Sequence, residues 1–464
     1  MPRGIIFILK PVKRHYFGGL IITFEPMRKM NINVLNPAAF PFFYGYVVMI
    51  LGTVGVWASI PGQTVGVSTF TDPVKNVLGL SRDQFSIAYM LGTLGSSFLI
   101  SSAGRWFDRF GARAVATAAA LMLAISLFLA SYTNIAAELI QSVIGLRSWL
   151  IPFILITIVF FLFRFSGQGV LTMSSRNMVM KWFERYRGRV NAVNALSVTI
   201  GFSMAPVLID SLITRFGWDG AWRVMSLAML MMAGIAFLFY RDNPEKYGLI
   251  PDGTPAKPTS KAIEKKEFKS IEPREAFKSR VFWVYSLMLA YNSFFITGFT
   301  FHVVSIFQSV GFEKTVALSV FIPISIISVS FSLIFNFLSD YIRLKYILYF
   351  MITGGFLAAI GMSALGYRWG LYLVIGGLGT TGGLFGVLNA IAWPRLFGRK
   401  YLGTISGKAM SMVVFASALA PVLFSLSLTL FKSYSAVAWL ALLFMVFMAI
   451  NAYGIRNPRL PSQD

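Results

Sequence analysis

The chain has no cysteine and only two histidines, His15 and His302, among its 464 residues. Missing thiols exclude a disulfide framework, a thiolate metal site and a cysteine nucleophile. Two histidines, one of them in an N-terminal tail, also fall short of the clustered His/Asp or Ser-His-Asp sets that a membrane enzyme needs. Charge is scarce: 13% of residues, where a soluble domain carries about 25%. Acids are scarcest, with 18 Asp and Glu against 41 Lys and Arg, and none lies in the middle of a long apolar run. Carboxylate proton relays and carboxylate sodium sites therefore lack an obvious ligand there.

What is present is apolar. Hydrophobic residues make up 56% of the chain and aromatics 16%, including 44 Phe and 10 Trp. A soluble fold cannot bury so much apolar surface, whereas lipid-facing helices and interfacial belts use it. Twelve hydrophobic stretches stand out, at roughly 43–70, 84–103, 114–133, 149–175, 188–210, 221–240, 281–310, 315–338, 345–366, 369–393, 402–431 and 433–454. Each can cross about 30 Å of hydrocarbon as a helix. The fold class expected is an all-α membrane protein.

The net charge of +23 and the pI near 10.2 would also suit a nucleic-acid binder. The positions of the charges exclude that. With both termini placed in the cytoplasm, the Lys and Arg residues gather in the loops of that side, as the positive-inside rule requires. The basic excess thus describes topology and contact with anionic lipid. The expected localisation is the cell inner or plasma membrane, multi-pass. The short apolar piece Gly4–Leu9 is too short for a signal peptide; the alternatives are a start at Met27 or Met30 and a surface tail.

A hydrophilic stretch at 241–280 divides the spans into two blocks of six. The expected organisation is a tail at 1–41, a first half at 42–240, a linker at 241–280, a second half at 281–455 and a tail at 456–464. The halves match each other. Asp108 and Asp340 each end a span and precede a basic turn, and Gly79 and Gly311 precede the same spans; both pairs lie 232 residues apart. Further on, Gly188 and Gly403 are each followed eighteen residues later by proline, within the identical runs Ala205-Pro206-Val207-Leu208 and Ala420-Pro421-Val422-Leu423, at an offset of 215. The first half therefore holds an insertion of 17 residues, most of which fits the segment 133–147. Two six-helix repeats related by an axis along the membrane normal imply a binding site near mid-membrane between them.

Several motifs bear on function. Gly104-Arg105-Trp106-Phe107-Asp108-Arg109-Phe110-Gly111-Ala112-Arg113 joins spans two and three and resembles the loop signature G-x-x-x-D-R-x-G-x-R of the major facilitator superfamily. Gly111 supplies turn freedom and Asp108 can cap a helix start or pair with a cation. In span four, Arg164-Phe165-Ser166-Gly167-Gln168-Gly169 resembles that family's R-x-x-x-G-x-G element. The stretches Phe216-Gly217-Trp218 to Trp222-Arg223 and Asn243 to Gly253, with His302 before Gly311, are similar to a bacterial branch near the monocarboxylate transporters and oxalate/formate antiporters. The resemblance covers nearly the whole chain. It implies a major facilitator fold of twelve transmembrane helices in two six-helix repeats, and a loop that latches the halves together when the site faces outward. The implied gating residues are Gly104, Asp108, Arg109, Gly111, Arg113 and Asp340. The second copy of the loop, Asn336 to Arg343, keeps the acid but loses both glycines, which argues against a symmetric latch.

The candidate solute pathway contains Arg164, His302, Gln63, Thr64, Tyr291 and Asn292. Arg164 lies about 21 Å along its helix from Leu150, and a cation so deep is costly unless it is paired or faces water. His302 lies about 13 Å from the outer end of its span, and histidine titrates near neutral pH. Ile60-Pro61-Gly62-Gln63-Thr64 breaks span one, because proline removes a helix hydrogen bond, and the freed polar groups must face protein or cavity. Tyr291 and Asn292 offer uncharged contacts in span seven. Lys408, about 7 Å into span eleven, is shallow enough to snorkel, and span eight carries no charge.

Deep cations without deep acids favour an anionic solute. The expected activity is secondary active or facilitative transport by alternating access of a small solute, an organic anion such as a mono- or dicarboxylate. The alternatives are efflux or uptake of a neutral or cationic molecule, which calls for an acid in the cavity, and a non-transporting solute sensor. Partners expected are the solute, a coupling proton or counter-anion and membrane lipids, with no nucleic acid; the chain is expected to be a monomer without cofactor or metal.

Overall fold

A computed structural model of the protein describes residues 36–145, 147–253, 270–455 and 457–458. The expectations for residues 1–26, including Gly4–Leu9, His15 and the alternative starts, lie outside the described residues, as do residues 254–269 of the linker.

The described residues form helices and connecting turns, with no strand among them. Span one is interrupted: α1 (Gly45–Ala58) leads through a 3₁₀ turn at Ile60–Gly62 into α2 (Thr64–Thr69) and α3 (Thr71–Val77). Spans two and three form α4 (Arg82–Ala130), and α5 (Thr133–Ile144) follows. Span four comprises α6 (Leu150–Phe163), a π-helical segment Arg164–Leu171 and α7 (Thr172–Trp182); spans five and six form α8 (Arg187–Phe239). The second half begins with the short α9 (Pro273–Lys278) and then spans seven to twelve: α10 (Arg280–Gln308), α11 (Lys314–Ser319) with α12 (Phe321–Ser339), α13 (Leu344–Ser363), α14 (Arg368–Leu396), α15 (Leu402–Phe431) and α16 (Ser435–Ala452).

Nine helices among the described residues are long and apolar enough to cross a membrane. Two of these hold two crossings each, because α4 reverses at Gly111 (φ +83°) and α8 at Gly217 (φ +73°). Side chains with a Cβ are strained at such angles, so these two glycines allow the reversals. With the interrupted span one, the total is twelve spans in two sets of six.

Local sequence explains the main landmarks. Ser81 opens α4 with a capping box: its Oγ accepts from Gln84 N–H at 3.1 Å, and Gln84 Oε1 accepts from Ser81 N–H at 2.9 Å. Pro61 and extended Gln63 (ψ 159°) stop α1 from continuing, which leaves the Gly62 carbonyl without a helical partner. One boundary differs from the sequence reading. Span four runs to Trp182 rather than stopping near 175, which brings Arg176 into the helix; the polar run Thr172 to Lys181 obscured this extension. The extra segment of the first half forms a helix, α5, exposing Ile135, Leu139 and Val143 along one side.

The halves meet along two seams. On one, α4 crosses α15 where Gly104 and Gly403 face each other, with Gly407 beside Gly104: a Cβ on Gly407 would lie 3.0 Å from the Cα of Gly104. On the other, Gly188 at the start of α8 lies against Asn336, Ser339 and Asp340 of the α12 end. Small residues bring helix backbones together where no hydrophobic force between helices exists.

Candidate solute cavity and gate

A cavity of about 180 Å³ lies between the halves. The first half contributes Gly52, Thr53 and Val56 from α1, Arg176 and Val179 from α7, and Asn191, Asn194 and Thr199 from α8. The second half contributes Ser328 and Ser332 from α12, and Gly382, Phe385 and Gly386 from α14. Arg176 is the one charged residue in this lining. It stands six residues before the end of α7, about 9 Å along the helix, and forms no hydrogen bond or ion pair with another described residue. Neighbouring polar groups are already engaged: Thr53 Oγ1 donates to Asn194 Oδ1 at 2.8 Å, and Asn191 Nδ2 donates to Asn336 Oδ1 at 2.7 Å. Arg176 thus presents an uncompensated positive charge to the cavity, where an anion would relieve the cost of keeping a cation away from bulk water.

None of the six expected pathway residues lines this cavity. Arg164 is only 2% exposed and holds the break in span one: its guanidinium donates to Gly62 O at 3.2 Å and Thr64 Oγ1 at 3.3 Å, and lies 5.2 Å from the Tyr89 ring centroid. It serves the Gly62 carbonyl, which the extended Gln63 leaves without a helical partner. Gln63 sits in the same seam, donating to Ser59 Oγ at 3.0 Å and Thr172 Oγ1 at 3.1 Å, and Thr64 Oγ1 pairs with the Tyr89 hydroxyl at 2.9 Å. His302 pairs through Nε2 with Pro421 O at 2.9 Å, and Tyr434 stands at 3.4 Å from Nδ1. A carbonyl can only accept, so Nε2 carries a proton. Tyr291 is stacked between Phe295 and Phe444, and Asn292 is buried on the same helix. Sequence reasoning missed Arg176 because the apolar run was ended at residue 175. Extending span four toward the 29 residues of α14 would have found it.

On the face carrying the 104–113 and 241–253 segments, here the basic face, two acids bind across the halves. Asp108 accepts from Gly403 N–H at 2.7 Å and Thr404 N–H at 2.6 Å, at the start of α15. Asp340 accepts from Gly188 N–H at 2.7 Å and Arg189 N–H at 3.2 Å, at the start of α8, with the Arg189 guanidinium 4.0 Å away. Each acid therefore caps a helix start of the opposite half, where free N–H groups and the helix dipole both favour a carboxylate. The missing glycines of the second loop do not prevent this, because the bonds need the acid and the receiving glycine, Gly188 or Gly403. Burial pushes the Asp340 carboxyl up, against the pull of the Gly188 and Arg189 N–H groups and the Arg189 charge. Of the other loop residues, Gly111 makes the reversal, Arg109 lies over the Phe110 ring and Arg113 over the Phe237 ring.

Further contacts brace this face. Lys181 reaches Asp242 at 3.6 Å, and Asp242 also accepts from Ala112 N–H and Lys246 Nζ. Burial pushes the Asp242 carboxyl up, but Lys181, Lys246 and the Ala112 N–H outweigh it and hold the group below the usual carboxylate range. Arg399, between α14 and α15, donates to Lys181 O and to Glu245, each at 2.7 Å, and so ties the second half to the first.

Residues 42–421 match the Major Facilitator Superfamily, and the chain belongs to that family. It is a multi-pass membrane transporter of small solutes. Solved structures of the same fold include a proton:xylose symporter, XylE, bound to 6-bromo-6-deoxy-D-glucose, which is 16% identical over 88% of this chain and 94% of its own, with a TM-score of 0.63. A bacterial homologue of the iron transporter ferroportin, in an outward-facing state, is 14% identical over 87% of this chain and 98% of its own, with a TM-score of 0.60. No curated protein sequence matches the chain.

Proposed function

We propose that this protein carries a small organic anion across the cell membrane by alternating access, with Arg176 as the counter-charge of the solute. The observation that carries this reading is an arginine without a partner among the described residues, in a cavity between the halves whose lining includes no acid. A cationic solute would meet repulsion there, and a neutral one would leave the charge uncompensated. The resemblance of the loop and linker motifs to the monocarboxylate and oxalate/formate branch favours the same substrate class.

Asp108 and Asp340 act as paired latches on the cytoplasmic side. Each makes two charge-assisted hydrogen bonds to backbone N–H groups, a kind worth about 1.5–3 kcal/mol when its partners stay buried. Together they hold the basic face shut, and rocking of the halves to open that face must break both. Uptake by proteoliposomes of labelled carboxylates, sugars, amino acids and cations tests the reading. Carboxylate uptake that falls at least tenfold in Arg176→Gln, with normal protein yield, is the expected result. Uptake of a sugar or cation alone, unaffected by Arg176→Gln, overturns it.

A further inference from the structure

Two glycine pairs on α14 differ in what surrounds them. Gly379 and Gly383 face α12: a Cβ on Gly379 would lie 2.6 Å from the Ile327 side chain, and one on Gly383 would run into the Ser328 carbonyl oxygen. These glycines let the two helices touch. Gly382 and Gly386 are one helical turn apart on the same broad strip of α14 and, with Gly383, line the cavity between the halves. A Cβ on Gly386 would meet nothing within 4 Å, and one on Gly382 would meet only the Ser328 side chain, at 3.2 and 3.8 Å. Helix packing does not require glycine at either position.

Glycine within a helix costs about 1 kcal/mol relative to alanine, and both residues have ordinary helical backbone, with no positive φ that would demand glycine. Their remaining physical effect is room. They flatten the second-half wall of a cavity whose first-half wall carries Arg176, with Ser328 and Ser332 beside them as hydroxyl contacts.

We infer that Gly382 and Gly386 set the size limit of the transported solute, which places its charged end at Arg176 and its tail against this glycine wall. The inference rests on the reading of Arg176 as the counter-charge of the solute. One methylene more or less against an apolar wall is discriminated roughly 10- to 200-fold, so each methyl group added to the wall should exclude one step of a homologous series.

The test uses purified protein in proteoliposomes with unbranched monocarboxylates of increasing length, and linear polyols of matching length as neutral comparators. Gly386→Ala and Gly386→Val should lower kcat/KM for the longest transported solute at least tenfold more than for the shortest, the valine more than the alanine. A uniform loss across the series, or no change in the length profile, overturns the inference while leaving the anion reading standing. Transport of polyols alone overturns the anion reading, and the length profile of the polyols still reports on the wall. A second measurement is independent of any solute: Gly386→Cys would be the chain's only cysteine. It should react with small thiol reagents, faster with an anionic than with a cationic one, and Arg176→Gln should remove that preference. An inert cysteine overturns the wall assignment; a reactive one without charge preference overturns the anion reading alone.

Discussion

Arg164 and Arg176 lie on the same span in opposite circumstances. Arg164 spends its hydrogen bonds on Gly62 O and Thr64, bridging the break in span one, while Arg176 faces the cavity without a partner among the described residues. Arg164→Gln should therefore lower thermal stability, since a buried carbonyl left unpaired costs about 1–3 kcal/mol, and should lower uptake of every solute only in proportion to folded protein. Arg176→Gln should leave the melting temperature near wild type and reduce anion uptake alone. Melting curves and uptake measured on the same preparations separate the two. His302 allows a similar distinction, because its Nε2 proton serves the Pro421 carbonyl. His302→Gln, which keeps a donor, should be tolerated, whereas His302→Leu should destabilise by about 0.5–1.5 kcal/mol, the net worth of one hydrogen bond to a carbonyl that also has a helical partner. Equal melting temperatures for the two variants would count against that role.

At the scale of elements, the repeat is expressed in contacts at helix starts. Span ends at Asp108 and Asp340 meet the N-termini of α15 and α8, and Gly403 and Gly188 let the backbones come close enough for the bonds to form. Replacing one acid by asparagine removes the charge from two bonds, and a bias of about 1.4 kcal/mol changes a two-state population tenfold. The Asp108→Asn, Asp340→Asn double variant should therefore open the basic face more often than either single variant. In this cysteine-free chain, Ser332→Cys reports the change directly, because it lines the cavity. Its labelling by an impermeant reagent applied to the basic face should quicken severalfold in the double variant, with the single variants between. Unchanged labelling would remove the latch role. Both acids could be picked out from the sequence through the 232-residue offset, but their partners could not, since Gly403 and Thr404 lie almost 300 residues from Asp108 and are brought to it only by the packing of the halves.

For the molecule as a whole, charge and hydropathy set the arrangement in the bilayer. If the basic loops face the cytoplasm, reporters fused after residues 253 and 458 should both give cytoplasmic signals, with a fluorescent protein bright and alkaline phosphatase inactive at each junction. An active phosphatase at either junction would reverse the topology. Composition and period were enough to establish the membrane class, the twelve spans, the two repeats and the loop acids, because the cost of exposing backbone and charge to hydrocarbon acts on each segment separately and leaves its mark in local sequence. The break at Pro61 was legible for the same reason. The cavity was not. Arg176 sits in a polar helix end that looks like a loop when read alone, and Gly382 and Gly386 cannot be told from the packing glycines 379 and 383 by spacing. Whether a side chain at a given turn meets a neighbouring helix, lipid or open space depends on how the halves are placed against each other, and that was decided only by the tertiary structure, through contacts between residues far apart in the chain.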